Sequence, residues 1–304
     1  MKLAAGPNVH PASRLILLGS ASSVPSATRD NTYLVWHGPA MAVLLDCGGS
    51  PLQKLQRVGV PLASLHHVIL THRHADHLYG LPALLQGLWL YQRRDTLYIW
   101  GPAEALTVAR RIMDTLGWSD WADMFPIIWC PVDPAGPVIL FTESGLAVHV
   151  APGTHSVPSL AVRLEDRHTG GVAVYSSDTE PCAALVALAQ GADLLVHEAT
   201  FLDTAWAGHS TAAQAGQVAQ QAGVGRLVLV HISPLQDDLE ALRQAAQARF
   251  AGPVDLGQDE AVYWLTPDQD LLKAGLPGPP SPACLPPSPA WAGGRRRGAG
   301  GLTG

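Results

Sequence analysis

Apolar runs alternate with helix-spaced apolar positions over most of this 304-residue chain. The first strands are expected in direct succession, with Gly38-Pro39 marking a hairpin between the second and third. The predicted strands span residues 14–20, 33–36, 42–45, 68–70, 97–100, 146–150, 160–164, 172–175, 193–201, 227–233 and 261–265. The predicted helices span residues 51–58, 81–91, 103–116, 182–189, 212–222 and 238–250. This alternation predicts a layered α/β domain.

Composition changes near residue 267, where proline, glycine, serine and alanine take over. We therefore expect a folded domain over residues 1–268 and a disordered tail over 269–304. With 47% hydrophobic residues, the domain can bury a sizeable core. A group of aromatic residues between 118 and 129 is more typical of core or pocket wall than of a base-stacking surface.

Charge and cysteine usage restrict the class of protein. Outside residues 275–304, 16 basic and 25 acidic residues leave a net charge of −9, which is unfavourable for generic RNA binding but compatible with a local basic patch or a small phosphodiester. The four cysteines form no C-x-x-C pair, so neither a disulfide framework nor a cysteine zinc site is expected. With no secretory leader or membrane-length apolar run, a cytoplasmic location without membrane association is predicted. A homodimer is left open.

Four potential metal ligands follow the apolar run at 68–70 within six residues: His72, His74, Asp76 and His77. Because side chains alternate along an extended segment, His72 and His74 can face one ion. The turn into the next helix can bring Asp76 and His77 toward a second ion. The spacing therefore indicates a two-metal site.

Other polar residues stand where predicted strands end. Asp178 follows one such run, and a carboxylate, unlike an imidazole, can bridge two cations. His231 is delivered by the apolar run at 227–233 and is the expected last ligand of the second metal. His155 lies on a similar loop, where a single histidine is by itself equally consistent with a structural role.

His209 precedes the predicted helix over 212–222, which Ser210 or Thr211 can cap. The start of a helix is positively polarised and favours a phosphate oxygen. His209 is therefore a candidate for contact with a phosphorylated substrate.

The H-x-H-x-D-H loop at 72–77 resembles the hallmark of the metallo-β-lactamase superfamily. V-P-S after His155, H-E-A-T-F at 197–201 and G-H-S-T at 208–211 are similar to the ribonuclease Z branch. The resemblance implies a four-layer αββα metallo-β-lactamase fold and two Zn²⁺ ions, other divalent metals remaining open. It assigns His72, His74 and His155 to one ion, Asp76, His77 and His231 to the other, and Asp178 as the bridge.

The resemblance also implies roles around the metals. Asp46, at the end of the third predicted strand, would orient the metal loop by hydrogen bonding. Asp76 would accept a proton from the attacking water. His209 would protonate the departing oxygen or steady the phosphate, with Glu198 positioning it. The expected activity is hydrolysis of a phosphodiester, with precursor tRNA as the candidate substrate.

Alternatives follow from one departure from the family pattern. Bacterial ribonuclease Z enzymes carry a tRNA-binding arm between the residues that correspond to His155 and Asp178. In this chain those two residues are only 23 positions apart. Armless phosphodiesterases acting on small or cyclic phosphodiesters are therefore an alternative. Lactonases and thioesterases of the same fold share the loop but are not expected to combine H-E-A-T-F with G-H-S-T. A non-catalytic metal-binding module would be favoured by a lost ligand, and none is lost.

Overall fold

The computed structural model describes residues 13–204, 206–265 and 273–274. The predicted disordered tail over 269–304 lies outside the described residues, except for Lys273 and Ala274, which pair as a short strand with Val262 and Tyr263. No helix in the described part of the chain is long and apolar enough to cross a membrane.

The predicted strands and helices all occur, in the predicted order, and the structure adds several short elements. The first half contains β1 (Ser13–Gly19), β2 (Tyr33–His37), β3 (Ala42–Leu45), α1 (Pro51–Arg57), β4 (Leu65–Ile69), α2 (Ala75–Leu78), α3 (Leu81–Leu90), β5 (Leu97–Gly101), α4 (Ala103–Thr115) and β6 (Ile127–Pro131). The second half contains β7 (Val138–Glu143), β8 (Leu146–Pro152), β9 (Leu160–Asp166), β10 (Val172–Tyr175), α5 (Ala183–Ala189), β11 (Leu194–Glu198), α6 (Ala212–Ala222), β12 (Arg226–Val230), α7 (Leu239–Gln247), β13 (Val254–Leu256), β14 (Val262–Leu265) and β15 (Lys273–Ala274).

Two mixed sheets form the centre of the domain. One has eight strands in the order β15-β14-β1-β2-β3-β4-β5-β6, and the other has seven in the order β13-β12-β11-β10-β9-β8-β7. Leu15 and Val43 of the first sheet share a buried cluster with Val150 and Val196 of the second, so the sheets pack face to face. This apolar interface holds the two halves of the chain together.

Helices cover the outer face of each sheet. Leu55, Leu84 and Ala109, from α1, α3 and α4, belong to a second cluster with strand residues of the first sheet. Leu185, Val218 and Leu242, from α5, α6 and α7, form a third with the second sheet. The four layers confirm the predicted αββα metallo-β-lactamase fold.

The aromatic residues between 118 and 129 belong to the outer layer of the first sheet. Phe125 is buried in its apolar cluster, and Trp118, Trp121 and Trp129 pack against it. Phe125 is thus a core residue and the three tryptophans are half-buried against the core, in keeping with the predicted role as core or pocket wall.

Local sequence explains the bounds of α6. The Thr211 side chain accepts a hydrogen bond from Gln214 N–H, and the Gln214 side chain accepts one from Thr211 N–H, which completes a capping box. Gly223 adopts a left-handed conformation (φ 61°) that ends the helix. Of the two predicted caps, Thr211 is therefore the one that caps.

Two predicted strands end earlier than the apolar pattern suggests. The strand expected over 193–201 ends at Glu198, and the one expected over 227–233 ends at Val230. Both strands end where polar residues of the candidate site begin, because regular strand pairing would not direct those side chains into the site. The sequence also missed α2, β6, β7, β13 and β15.

Strands β9 and β10 form a tight antiparallel hairpin, with Tyr175 opposite Val162 and Val172 opposite Glu165. Residues 167–171 alone connect the strands. Asp166 supports this connection by accepting hydrogen bonds from the N–H groups of His168 (2.8 Å) and Thr169 (3.3 Å). No arm is inserted between His155 and Asp178.

Candidate metal centre

The ends of strands from both sheets converge on one site. Three residues at these ends adopt the left-handed conformation that is uncommon outside glycine: Asp46 (φ 62°), Ser177 (φ 54°) and His231 (φ 55°). Such backbone turns the chain sharply as it leaves each strand. Uncommon backbone of this kind concentrates at functional sites, where the surrounding structure compensates its cost.

The first group of potential ligands comprises His72, His74, His155 and Asp178, whose ligand atoms all lie within 4.8 Å of one another. His74 Nδ1 is 3.1 Å from both His72 Nε2 and His155 Nε2. Asp178 Oδ2 is 3.7 Å from His72 Nε2. Three imidazoles and a carboxylate facing a common point suit a divalent transition metal.

The second group comprises Asp76, His77 and His231. Asp76 Oδ2 lies 3.3 Å from His77 Nε2 and 3.6 Å from His231 Nε2. Asp178 Oδ2 is also close, 3.5 Å from His77 Nε2 and 3.3 Å from His231 Nε2. Asp178 therefore stands between the two groups of histidines.

Three buried atoms of this centre have no hydrogen-bond partner: Asp178 Oδ1, His77 Nε2 and His231 Nε2. A buried polar atom without a partner is costly and rare. A divalent cation would satisfy all three, so the residues present fit a metal centre.

Hydrogen bonds to the protein hold the far nitrogen of several rings. His77 Nδ1 donates to Asp46 Oδ2 (2.7 Å), and His155 Nδ1 donates to Gly208 O (2.6 Å). His231 Nδ1 lies 2.8 Å from Thr200 Oγ1. Holding Nδ1 in this way leaves Nε2 free to face a metal and fixes the orientation of the ring.

Asp46 is fully buried beneath the metal loop. Its carboxylate accepts hydrogen bonds from Thr71 N–H (2.7 Å), Thr71 Oγ1–H (2.9 Å) and Tyr175 O–H (3.2 Å), as well as from His77. Asp46 thus ties the first residue of the loop, a ligand ring and the second sheet together.

The centre favours anionic carboxylates. Burial alone raises the pKa of Asp76 and of Asp178, but the imidazoles outweigh it: His77 lowers the pKa of Asp76, and His231 and His77 lower that of Asp178 well below its usual range. Both side chains are therefore ionised at neutral pH, as metal ligands must be.

His209 sits at the rim of this centre. Its Nδ1 lies 3.0 Å from Glu198 Oε1, a fully buried carboxylate that also accepts from Thr179 N–H and Thr200 Oγ1–H. Burial lowers the pKa of His209, but the hydrogen bond and charge of Glu198 raise it more. A ligand atom of His209 also lies within 4.8 Å of those of Asp178 and His231.

The sequence indicated the supporting carboxylates of Asp46 and Glu198, but not several hydroxyl groups and one further carboxylate that support the site. Thr71 Oγ1 lies 3.0 Å from His72 Nδ1, and Thr200 Oγ1 lies 2.8 Å from His231 Nδ1. Behind them Ser177 donates to Thr71, Tyr175 donates to Asp46, and Glu180 accepts a hydrogen bond from Gly208 N–H. Such residues have no characteristic spacing. Their one signal is adjacency, since Thr71 directly precedes His72 and Ser177 directly precedes Asp178.

The sequence of this chain is similar to those of known proteins. A family profile described as Beta-lactamase superfamily domain matches residues 42–232. The ribonuclease Z of Mycobacterium bovis is 32% identical over 273 residues, covering 81% of this chain and 95% of that protein. The ribonuclease Z of Salinibacter ruber is 30% identical over 307 residues, covering 83% of this chain and 94% of that protein.

The chain belongs to the ribonuclease Z family. The crystal structure of the human short-form tRNase Z matches with a TM-score of 0.68 and 25% identity, covering 83% of this chain and 99% of that one. The metallo-beta-lactamase fold protein YhfI from Bacillus subtilis has a TM-score of 0.69 at 24% identity, covering 83% of this chain and 98% of that one, and shows the shared fold. Membership in the ribonuclease Z family confirms the predicted branch and supports a hydrolase with a divalent-metal centre.

Proposed function

We propose that the protein is a zinc-dependent phosphodiesterase of the ribonuclease Z type that cuts precursor tRNA. The observation that carries the proposal is the position of Asp178. Its Oδ2 atom lies within 3.7 Å of a ring nitrogen of His72, His77 and His231. His72 belongs to the first group of potential ligands, and His77 and His231 belong to the second. One carboxylate serving two groups of imidazoles supports a dinuclear site.

The residues divide between two ions. His72, His74 and His155 would hold one Zn²⁺, Asp76, His77 and His231 the other, and Asp178 would bridge them. The ions would lower the pKa of water and neutralise charge on the phosphate. We assign the activity to the domain over residues 1–268.

The protein side chains would handle the protons. Asp76, anionic beside His77, would accept a proton from the attacking water. His209, whose pKa is raised by Glu198, would supply a proton to the departing oxygen or hold a phosphate oxygen. Glu198 would fix the His209 ring, since its other oxygen is held by Thr200.

A second candidate substrate class is small or cyclic phosphodiesters. The tight β9–β10 hairpin favours it, because no arm extends from this interval to grip a tRNA. The excess of acidic over basic residues, a net charge of −6, favours it as well.

The test is cleavage by the zinc-reconstituted protein of precursor tRNA, compared with hydrolysis of bis(p-nitrophenyl) phosphate. The proposal expects cleavage of precursor tRNA at its 3′ side. Hydrolysis of the aryl diester without cleavage of the tRNA would support the small-substrate alternative. Activity on neither, with activity on a lactone or thioester, would reject a phosphodiesterase.

A further inference from the structure

Trp206 is an exposed tryptophan at the rim of the metal centre. Its side chain is 69% exposed, whereas every other tryptophan that the structure describes is buried or half-buried. Leaving a large aromatic surface in water is unfavourable. An exposed aromatic side chain beside a candidate site is therefore a candidate binding surface.

The turn that carries Trp206 is fixed to the site. His209 N–H donates to Trp206 O (3.0 Å), and Gly208 N–H donates to Glu180 Oε1 (2.7 Å). His155, a proposed ligand, donates from Nδ1 to Gly208 O (2.6 Å). The 206–209 turn is thus held on two sides, and one contact is to a ring of the metal centre.

Gly208 shows how closely this turn approaches the site. It has a φ of 87°, and a Cβ atom there would lie 2.8 Å from His155 Nδ1 and 3.0 Å from Ser156 N. No other residue fits without moving the turn or the ligand. The main chain of this turn is therefore held close to His155.

A second aromatic side chain connects Trp206 to His209. The Phe201 ring lies 4.9 Å from the Trp206 ring, tilted by 36°, and 6.4 Å from the His209 ring, nearly perpendicular to it. His209 stacks on His231 at 5.5 Å. Aromatic rings therefore lead from the metal centre, past the proposed proton donor, to solvent.

We propose that Trp206, supported by Phe201, stacks on the nucleobase of the nucleoside that retains the departing oxygen. If His209 acts at that oxygen, the attached ribose and base must lie near His209, and Trp206 is an exposed aromatic surface that Phe201 connects to His209. Unpaired RNA bases commonly stack on aromatic side chains, and each such contact strengthens binding substantially. The inference deepens the proposed function and rests on it.

The test is a double comparison of binding. The probe is a fluorescent precursor tRNA in which a methylene group replaces the departing oxygen at the junction of acceptor stem and 3′ trailer, so that it cannot be cut. A second probe lacks the base on the leaving side of that linkage, and a third lacks the base on the other side. Affinities are measured with zinc-reconstituted wild type, Trp206→Ala, Trp206→Phe and a matched control, Leu116→Ala.

Leu116 is 54% exposed and follows the C-terminal end of α4. Its removal tests whether loss of any exposed apolar side chain weakens binding. Zinc content and melting temperature are measured for each variant to show that the fold and the metal centre are retained.

Trp206→Ala is expected to weaken binding of the complete probe about tenfold or more, and of the probe without the leaving-side base by less than about twofold. Trp206→Phe should restore most of the affinity, and Leu116→Ala should match wild type. Equal losses on both probes, a loss that tracks only the base on the other side, or no binding of RNA by wild type would overturn the stacking role. Binding coupled to Trp206 without cleavage of unmodified precursor tRNA would instead reject the proposed function and leave the stacking site standing.

Discussion

Replacing Asp46 by asparagine is expected to weaken metal binding while leaving the backbone in place. Asparagine tolerates the left-handed conformation found at this position (φ 62°), so the turn after β3 should survive. The amide, however, presents one oxygen and one NH₂ group where the carboxylate presents two acceptors. In either orientation of the amide, its NH₂ group faces an N–H donor of the protein, either Thr71 N–H or His77 Nδ1–H.

The hydrogen bonds of Asp46 set the size of the effect. If the amide oxygen keeps Thr71 N–H (2.7 Å with Asp46), the NH₂ group opposes His77 Nδ1–H (2.7 Å) and Tyr175 O–H (3.2 Å). His77 can relieve the conflict by moving its proton to Nε2, the atom that faces the metal. Loss of such a support costs about 10- to 100-fold in metal affinity or activity, or about 1.4–2.7 kcal/mol. An unmatched buried donor costs about 1–3 kcal/mol of folding stability.

The assay is competition for zinc between the protein and a chelator of known affinity, with kcat/KM on bis(p-nitrophenyl) phosphate and urea unfolding measured in parallel. Asp114→Asn is the matched control, because Asp114 also accepts a side-chain hydrogen bond, from Trp118 Nε1 (2.8 Å), but lies at the C-terminal end of α4. Asp46→Asn with zinc affinity and kcat/KM within about twofold of wild type would refute the role of Asp46 in orienting His77.

Asp76→Ala and Asp178→Ala should each lower phosphodiester hydrolysis well beyond tenfold, because each removes a charge that the metal centre requires; kcat/KM within tenfold of wild type, less than about 1.4 kcal/mol of barrier, would contradict either role. His209→Ala should retain zinc and fold but lose about 10²–10⁴-fold in turnover of RNA. The loss should be smaller on an aryl phosphodiester, whose leaving group needs no proton, whereas loss of zinc would make His209 a ligand. Burial raises the pKa of Asp166, but hydrogen bonds from Ser13 Oγ–H (2.6 Å) and from backbone N–H groups lower it by more. The pKa of Asp166 in the folded protein therefore lies below its value in the unfolded chain. Its contribution to stability is therefore complete above about pH 4 and disappears as the pH falls through the folded pKa, so wild type should lose more stability than Asp166→Asn in acid urea titrations; parallel curves would show that these hydrogen bonds do not matter.

The predicted elements that agree best with the structure have strong local signals. Helix α6 is predicted over the residues that form it, because Thr211 caps its start and Gly223 ends it. Strand β10 also matches its predicted bounds, as a β-rich run followed by serines. Where local chemistry and tertiary packing agree, the pattern is sufficient.

The missed strands lack such signals. Strand β13 has three residues, and β6 lies in a stretch whose tryptophans indicate core without indicating its secondary structure. Strand β7 has half-buried and exposed residues along its length, so its pattern is weak. Strands β6 and β13 each pair with a strand that is distant in sequence, which a local pattern does not contain. Strand β7 instead pairs with the next strand, β8, across the turn at Ser144 and Gly145.

Four of the candidate ligands were accessible from sequence because the spacing of the H-x-H-x-D-H loop is short and specific. The structure places His72 and His74 in one group of potential ligands and Asp76 and His77 in another. The support around them was not accessible, because Thr200 beside His231 and Gly208 beside His155 are separated from their partners by 31 and 53 positions. Those contacts depend on how strands from the second sheet meet at one edge.

The central claim, a dinuclear centre shared through Asp178, is tested most directly by the metal content of the protein. Elemental analysis after zinc reconstitution and removal of excess metal is expected to give about two ions per chain for wild type, because six candidate ligands divide into two groups around one carboxylate. The same analysis should give fewer than two ions for Asp178→Ala. One ion or none in the wild-type protein would contradict the account.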